Sequence, residues 1–365
     1  MGLFSSKSGY LGIDIGTSGI KVVEFVSSKN RPKLVTYGSI DFQEPGSITQ
    51  PTFVPIIVES LKRIIREART QSVQAVSAIP NYSVFSSIIT LPAMNKKDLA
   101  SAIHWEAKKF VPMPIDDMIL DWKLLEIKTS ENVEQTKHSP GNGAKKGSET
   151  PLTGSTRVLI TAAPKTVVQK YVEVFQKVSI QLLSLETESF ALERSLVGSD
   201  KTPTMIVDIG ASTTSIIVTE NGIPVLNRSI DVGGRTATHA IVNSLKVDID
   251  RAEQFKRDIG FALDAQNGIP QTIEMSISPV VNEIKYGLDL YYSHPASRKV
   301  ERVILAGGSA YLPRLPEYLS SLLSMKVFVG DPWARVVYPA ELKPALDEIA
   351  PRFAGAVGLA MREIL

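Results

Sequence analysis

The sequence predicts an α/β protein made of two related halves facing a common cleft, and three observations carry that prediction. Ile13-Asp14-Ile15-Gly16-Thr17-Ser18 returns, slightly altered, as Val207-Asp208-Ile209-Gly210-Ala211-Ser212-Thr213. Each copy reads as a strand that ends in a carboxylate and turns on a glycine, and each is followed by further strands and then by helices. At 365 residues, the chain is also longer than one hydrophobic core usually organises.

Composition narrows the function. A hydrophobic fraction of 43% and a charged fraction of 21% suit a soluble α/β protein, and a net charge of +2 gives no reason for a nucleic-acid partner. The absence of cysteine excludes disulfides and thiol chemistry, and four scattered histidines do not make a zinc site. No stretch approaches the ~18 apolar residues needed to span a bilayer. A cytoplasmic protein without direct membrane insertion is therefore expected. Met1-Gly2-Leu3-Phe4-Ser5-Ser6 formally matches a myristoylation pattern and is read as a short leader.

Taken in order, Val22 to Val26 and Lys33 to Tyr37 read as antiparallel strands around a turn at Ser28-Lys29-Asn30. Ile57, Leu61, Ile64, Ile65 and Ala68 recur at helical spacing, Val73 to Ile79 is a short strand, and Pro80-Asn81-Tyr82 is a turn. Residues 84–164 read as an inserted subdomain of the first half, which spans 9–200. It holds a helix at 96–110, stopped by Pro112 and Pro114, and two adjacent strands at 116–127 and 157–163. Between those strands, 128–155 is nearly free of apolar residues and reads as a long exposed, disordered loop.

A helix after Pro164 carries Val167, Tyr171, Phe175 and Val178, and another covers 188–196. The second half, 201–365, opens with the repeated strand and a hairpin marked by Asn221-Gly222. Helices follow Gly233-Gly234 and Asp250, a polar loop covers 264–271, and Val281, Ile284, Leu288 and Tyr291 share one helical face, all within a second inserted subdomain at about 235–295. Val303 to Ala306 is a buried strand ending in Gly307-Gly308-Ser309. Leu312, Leu315, Leu319 and Leu322 recur helically, and an Ala/Gly-rich helix at 353–364 closes the chain with small residues suited to close packing.

The turns imply chemistry. A tight Gly/Ser/Thr turn presents backbone N–H groups to phosphate oxygens, and a neighbouring Asp can hold a hydrated Mg²⁺. Two such turns and a third at Gly307-Gly308 give three backbone approaches to one nucleotide.

In these residues the chain resembles the actin-like ATPase superfamily. Asp14, Gly16, Thr17, Ser18 and Lys21 match its first phosphate motif; Asp208, Gly210, Ala211, Ser212 and Thr213 match the second; Ala306 to Ser309 match the adenosine motif. The implied fold is two ribonuclease-H-like domains around a nucleotide cleft. The stretches 11–24, His104 to Pro112 and Ile230 to Arg235 sharpen the resemblance toward the PilM family of type IV pilus assembly, related to FtsA, whose inserted subdomain differs from actin's.

The resemblance implies the following roles. ATP and Mg²⁺ are the ligands, with Asp14 and Asp208 orienting the metal through water. The N–H groups of Thr17, Ser18, Ser212 and Thr213 would hold phosphates, Lys21 would add a point charge, and Gly234, Gly307, Gly308 and Ser309 would lie against the nucleoside. Glu253 and Lys256 match a Glu-x-x-Lys that faces the nucleoside, although Asp250 with Glu253 also reads as a capping box. Glu186 and Glu188 are the candidates for orienting water, or are surface carboxylates. Gly-Gly-Gly-Thr and a further Asp are common in the second motif, where this chain has Gly210-Ala211-Ser212-Thr213 and Ser215. Turnover is expected to be slow or absent.

The partner implied is the cytoplasmic N-terminal tail of PilN, gripped in a groove beside the inserted subdomain, so that the protein sits at the inner membrane through a partner. Trp105 and Phe110 are candidates for that groove or for the core, the core being favoured. Other platform or motor proteins of the pilus and a homo-oligomer fit the same resemblance. The alternatives are an FtsA-like division protein and a small-molecule kinase of the superfamily.

Overall fold

A computed structural model describes residues 9–129, 154–262, 268–294 and 297–365 of the chain. The leader at 1–8 and the core of the loop at 128–155 lie outside the described residues. Strands β1 (Gly9–Gly16), β2 (Gly19–Ser28) and β3 (Arg31–Asp41) form an antiparallel meander. Its β2–β3 turn holds Lys29 at φ 52° and Asn30 at φ 58°, the left-handed pair that a two-residue hairpin matched to strand twist requires. Helix α1 (Val54–Glu67) buries Ile57, Leu61 and Ile64 and leads to β4 (Gln74–Ile79), which lies parallel to β1.

Phe85–Ala163 forms a compact unit of its own. It contains β5 (Phe85–Pro92), α2 (Lys96–Ala107), β6 (Met118–Thr129) and β7 (Gly154–Pro164), with sheet order β5-β7-β6. Ile89, Leu91, Ile103, Val158 and Ile160 make its core. The expected adjacency of the strands at 116–127 and 157–163 is present, but β5 carries no alternation strong enough to read as a strand. Helix α2 ends at Ala107, three residues short of the expected end. Trp105 and Phe110, favoured for the core, are instead 67% and 47% exposed, and Lys108 Nζ lies 4.4 Å from the Trp105 ring centroid.

After the insertion, α3 (Lys165–Lys177) buries Val167, Tyr171 and Phe175, and β8 (Gln181–Thr187) completes the first sheet as β3-β2-β1-β4-β8. Helix α4 (Glu188–Leu196) leads to the second half. There β9 (Thr204–Ile209), β10 (Thr214–Glu220) and β11 (Ile223–Ile230) repeat the meander, with Asn221 and Gly222 both at positive φ in the hairpin. Next come α5 (Gly234–Leu245), α6 (Ile249–Ile259), α7 (Ile269–Tyr292), β12 (Arg302–Ala306), α8 (Leu315–Leu323) and β13 (Lys326–Val329). The second sheet runs β11-β10-β9-β12-β13, strand for strand the order of the first. The motif repeat is therefore a repeat of whole sheets. Helices α5 and α7 share one core with β9, β10 and β12.

Three further boundaries, beyond the end of α2, differ from the sequence expectation. Helix α6 is capped by Asp248, whose side chain accepts from the Arg251 N–H at 2.8 Å, so Asp250 is already inside the helix and the Asp250/Glu253 capping box does not form. Helix α7 starts at Ile269, within the segment expected as loop, because Pro270 at its first turn suits a helix start. The last helix, α9 (Lys343–Met361), begins well before Phe353 and carries Pro351 in its interior, the residue that hid its first half.

Helix α9 packs on β1, β2 and β4 and against α4. A Cβ at Gly358 would overlap the Ala191 carbonyl of α4. The small residues of α9 thus set how closely its backbone approaches its neighbours.

Candidate functional site

The two glycine turns open onto one cavity of about 690 Å³, within the range of small-molecule sites. Asp14 ends β1 and pairs directly across the β1–β2 hairpin with Lys21; Asp208 ends β9 and pairs across β9–β10 with Ser215. One motif thus supplies a carboxylate and an ammonium, the other a carboxylate and a hydroxyl. The first turn is a two-residue loop, Thr17-Ser18, whose carbonyls accept from the N–H groups of Gly46 (2.9 Å) and Phe42 (2.8 Å). In the second turn the Gly210 N–H donates to the Thr213 carbonyl at 2.9 Å, while the Gly210 and Ala211 carbonyls accept from Gly234 and Arg235, both at 2.9 Å. The start of α5 is thereby tied to the turn.

The third turn follows β12, where Ala306 lies beside Asp208. Gly307 has φ +83°, and a Cβ there would stand 2.5 Å from Asp208 Oδ1, so only glycine fits. The Ser309 N–H donates to the Ile209 carbonyl at 3.2 Å, closing this turn onto the second one.

Lys256 is a buried lysine on α6. Its Nζ donates to Glu253 Oε2 (2.6 Å), Thr238 Oγ1 (2.9 Å) and the Gly234 carbonyl (3.2 Å). Burial holds the Lys256 ammonium below its ordinary range, against the pull of Glu253. Burial opposes ionisation of Glu253 as well, but Lys256, Thr238 and Arg257 outweigh it and hold that carboxyl below its usual value. The pair joins α5 to α6 at the cavity wall.

Charge is unbalanced at the cleft floor. Burial raises the carboxyls of Asp14, Asp208 and Glu188, with Lys21 opposing in each case. Asp208, further raised by Asp14, is pushed up to about 7, and Glu188, raised by both aspartates, stands well above the usual carboxylate range. One lysine among three carboxylates is an arrangement that a cation relieves. Among the described residues no group of three acidic, imidazole or thiol side chains is placed to ligate a metal directly.

Of the residues expected from sequence, Asp14, Gly16, Thr17, Ser18 and Lys21 line the cavity from the first half. Asp208, Gly210, Ala211, Thr213, Gly234, Glu253, Lys256, Gly307, Gly308 and Ser309 line it from the second; Ser212 does not. The structure separates the two glutamates. Glu188 lines the cavity, whereas Glu186 does not; it is held by Arg194 through two hydrogen bonds of 2.7 and 2.9 Å, with Arg362 at 3.6 Å. It clamps α4 rather than facing a ligand. Sequence reasoning missed His239, Tyr311, Gly355 and the Arg352–Asp41 ion pair, all on the cavity wall. Arg352 and Gly355 lie on α9 around its interior proline, which is why they carried no signal.

The family model for the type IV pilus assembly protein PilM matches residues 12–137 and 147–364. This chain belongs to the PilM family. The solved PilM–PilN type IV pilus biogenesis complex matches it over 98% of this chain and 99% of that one, with 26% identity and a TM-score of 0.79. MreB5 of Spiroplasma citri, solved with AMPPNP, is 12% identical with a TM-score of 0.53 over 97% and 95% of the two chains, a likeness of fold. Among curated relatives, cell division protein FtsA of Bacillus subtilis is 21% identical over 73% of this chain and 62% of its own length. FtsA of Neisseria meningitidis is 24% identical over 56% and 53%. The PilM-family chain thus spans between half and two thirds of these FtsA proteins. Its fold is the actin-like ATPase fold they share.

Proposed function

We propose that this chain is an ATP-binding scaffold of the type IV pilus inner-membrane assembly platform, and that it grips the cytoplasmic N-terminal tail of PilN. The observation that carries the nucleotide part is the meeting of two equivalent glycine turns, each with its aspartate, at one cavity. The donor set fits Mg²⁺–ATP: Lys21 supplies a positive charge at the phosphate turns, the Asp14 and Asp208 carboxylates would orient the water shell of the ion, and the Gly307-Gly308 turn leaves room for the nucleoside. The bound ion would neutralise phosphate charge. The partner part is supported by likeness to the PilM–PilN complex over nearly the whole chain.

Because ATP would touch both sheets, its binding and that of a PilN tail are linked, and each changes the other's affinity by the same factor. Among the described residues no helix is long and apolar enough to cross a membrane. This supports a cytoplasmic protein held at the inner membrane through its partner. The test is calorimetry with Mg²⁺–ATP, followed by a pull-down with a synthetic PilN-like tail with and without ATP. Failure to bind ATP removes the nucleotide reading; failure to retain the tail under either condition removes the partner.

A further inference from the structure

Asn81 opens a 3-10 turn, Asn81–Ser83, directly after β4, and it is a buried polar residue. Its side-chain carbonyl oxygen accepts from the Ser189 hydroxyl at 2.7 Å and the Ser189 N–H at 3.3 Å. Glu188 and Ser189 are the first residues of α4, and Thr187 before them makes no side-chain capping bond. Asn81 therefore provides, from a distant strand end, the acceptor that a helix start needs, and through Ser189 it fixes the backbone that carries Glu188. The 3-10 turn packs on β11 of the second half, so the position of Glu188 is referred to both sheets.

Behind the phosphate turns lies a smaller cavity of about 40 Å³. It shares Asp14, Gly16, Thr17, Glu188 and Thr213 with the large one, and Tyr82 forms part of its wall. That is room for about one water, with the carboxylates of Asp14 and Glu188 and the residues Thr17 and Thr213 on its lining.

We infer that Asn81 is a positioning residue for ATP hydrolysis: its side chain fixes the start of α4 through Ser189, so that the adjacent Glu188 carboxylate orients one water in the small cavity. The inference rests on the ATP-binding reading above. In the reaction the water oxygen joins the terminal phosphorus, the bond to the bridging oxygen breaks to leave ADP, and the water's proton departs with the phosphate. Little covalent work falls to the protein, and orientation is its contribution.

The experiment compares the full chain with Asn81→Ala, Glu188→Gln and the double variant. It measures Mg²⁺–ATP affinity by calorimetry, single-turnover hydrolysis, thermal melting and a high-resolution crystal structure of the ligand-free protein. Glu188→Gln should slow hydrolysis by about 100-fold. Asn81→Ala should slow it by about tenfold with affinity unchanged, and the double variant should be no slower than Glu188→Gln alone, since Asn81 acts through Glu188. The crystal structure should show an ordered water within hydrogen-bond distance of Glu188 in the small cavity. Wild-type protein that binds ATP without hydrolysing it, additive effects in the double variant, or a dry cavity overturns the inference and leaves ATP binding standing. If Asn81→Ala lowers affinity and melting temperature together, Asn81 is structural and the inference fails. Wild-type protein that does not bind ATP ends both.

Discussion

Asp208 shows what a buried carboxylate at the cleft costs the ligand-free protein. Its carboxyl ionises near 3.8 in an unfolded chain and near 7 in the native cleft, burial being the larger cause and Asp14 the second. Between those values the native state keeps a proton that the unfolded state has lost. This carboxyl's contribution to the stability of the ligand-free protein should therefore fall as pH rises from about 4 to 7. Asp208→Asn should remove that share of the slope, the raised carboxyls of Asp14 and Glu188 keeping theirs, and stabilise the ligand-free protein at pH 8 by on the order of 2 kcal/mol, a value reduced because the carboxyl faces an open cavity. Denaturant titrations at several pH values check it. Asp14→Ala and Asp208→Ala should each weaken Mg²⁺–ATP binding at least about tenfold, ~1.4 kcal/mol, while the protein stays folded. Unchanged calorimetric affinity in both variants would remove the two-sided clamp.

Lys21 and Ser215 occupy equivalent hairpin positions, opposite Asp14 and Asp208, so the two halves are alike in backbone and unlike in charge. Lys21 opposite Asp14 follows from counting residues across the two-residue Thr17-Ser18 turn, whereas Ser215 opposite Asp208 lies across a longer turn at 210–213 whose register the sheet decides. Glu186 and Glu188 were not separable in the same way. Two positions apart, they straddle the end of β8 and the start of α4, and only tertiary contacts show that Glu186 pairs with Arg194 while Glu188 lines the cavity.

At the scale of elements, α9 decides how closely the first sheet and α4 approach. Its interior makes Gly358 a contact rather than a point of freedom, since a side chain there meets the Ala191 carbonyl. Gly358→Val should destabilise the protein by about 1–3 kcal/mol or more through overpacking, measured by urea unfolding. The helical pattern of 353–361 was legible from its small residues. The preceding turns were not, because a proline inside a helix reads as a boundary when no tertiary contact is known to hold it. The β2–β3 hairpin was legible at its turn, but the positive φ of Lys29 was not: lysine has no preference for it, and sheet pairing places it there.

At the scale of the whole molecule, the insertion and the body each have their own core. Phe85 pairs with Ala162, so the ends of the insertion lie side by side. Replacing 85–163 by a short Gly-Ser linker should leave the body folded, with a melting temperature within about 5 °C of the parent. Mg²⁺–ATP affinity should be unchanged, since every cavity residue belongs to the body. Loss of nucleotide binding would show that the insertion supports the cleft.

The amino-acid order alone sufficed to reveal two copies of one strand-turn unit, the acid and glycine at each turn, and hence the sheet pair and its cleft. Those features are local: periodicity of two, a carboxylate at a strand end and turn chemistry all act between near neighbours. Which of two nearby glutamates lines the cleft, that Asn81 holds the start of α4 beside it, and that Trp105 is exposed rather than buried depended on contacts between residues far apart in the chain. Such contacts carry no short-range pattern, because burial and pairing arise only when distant segments pack together.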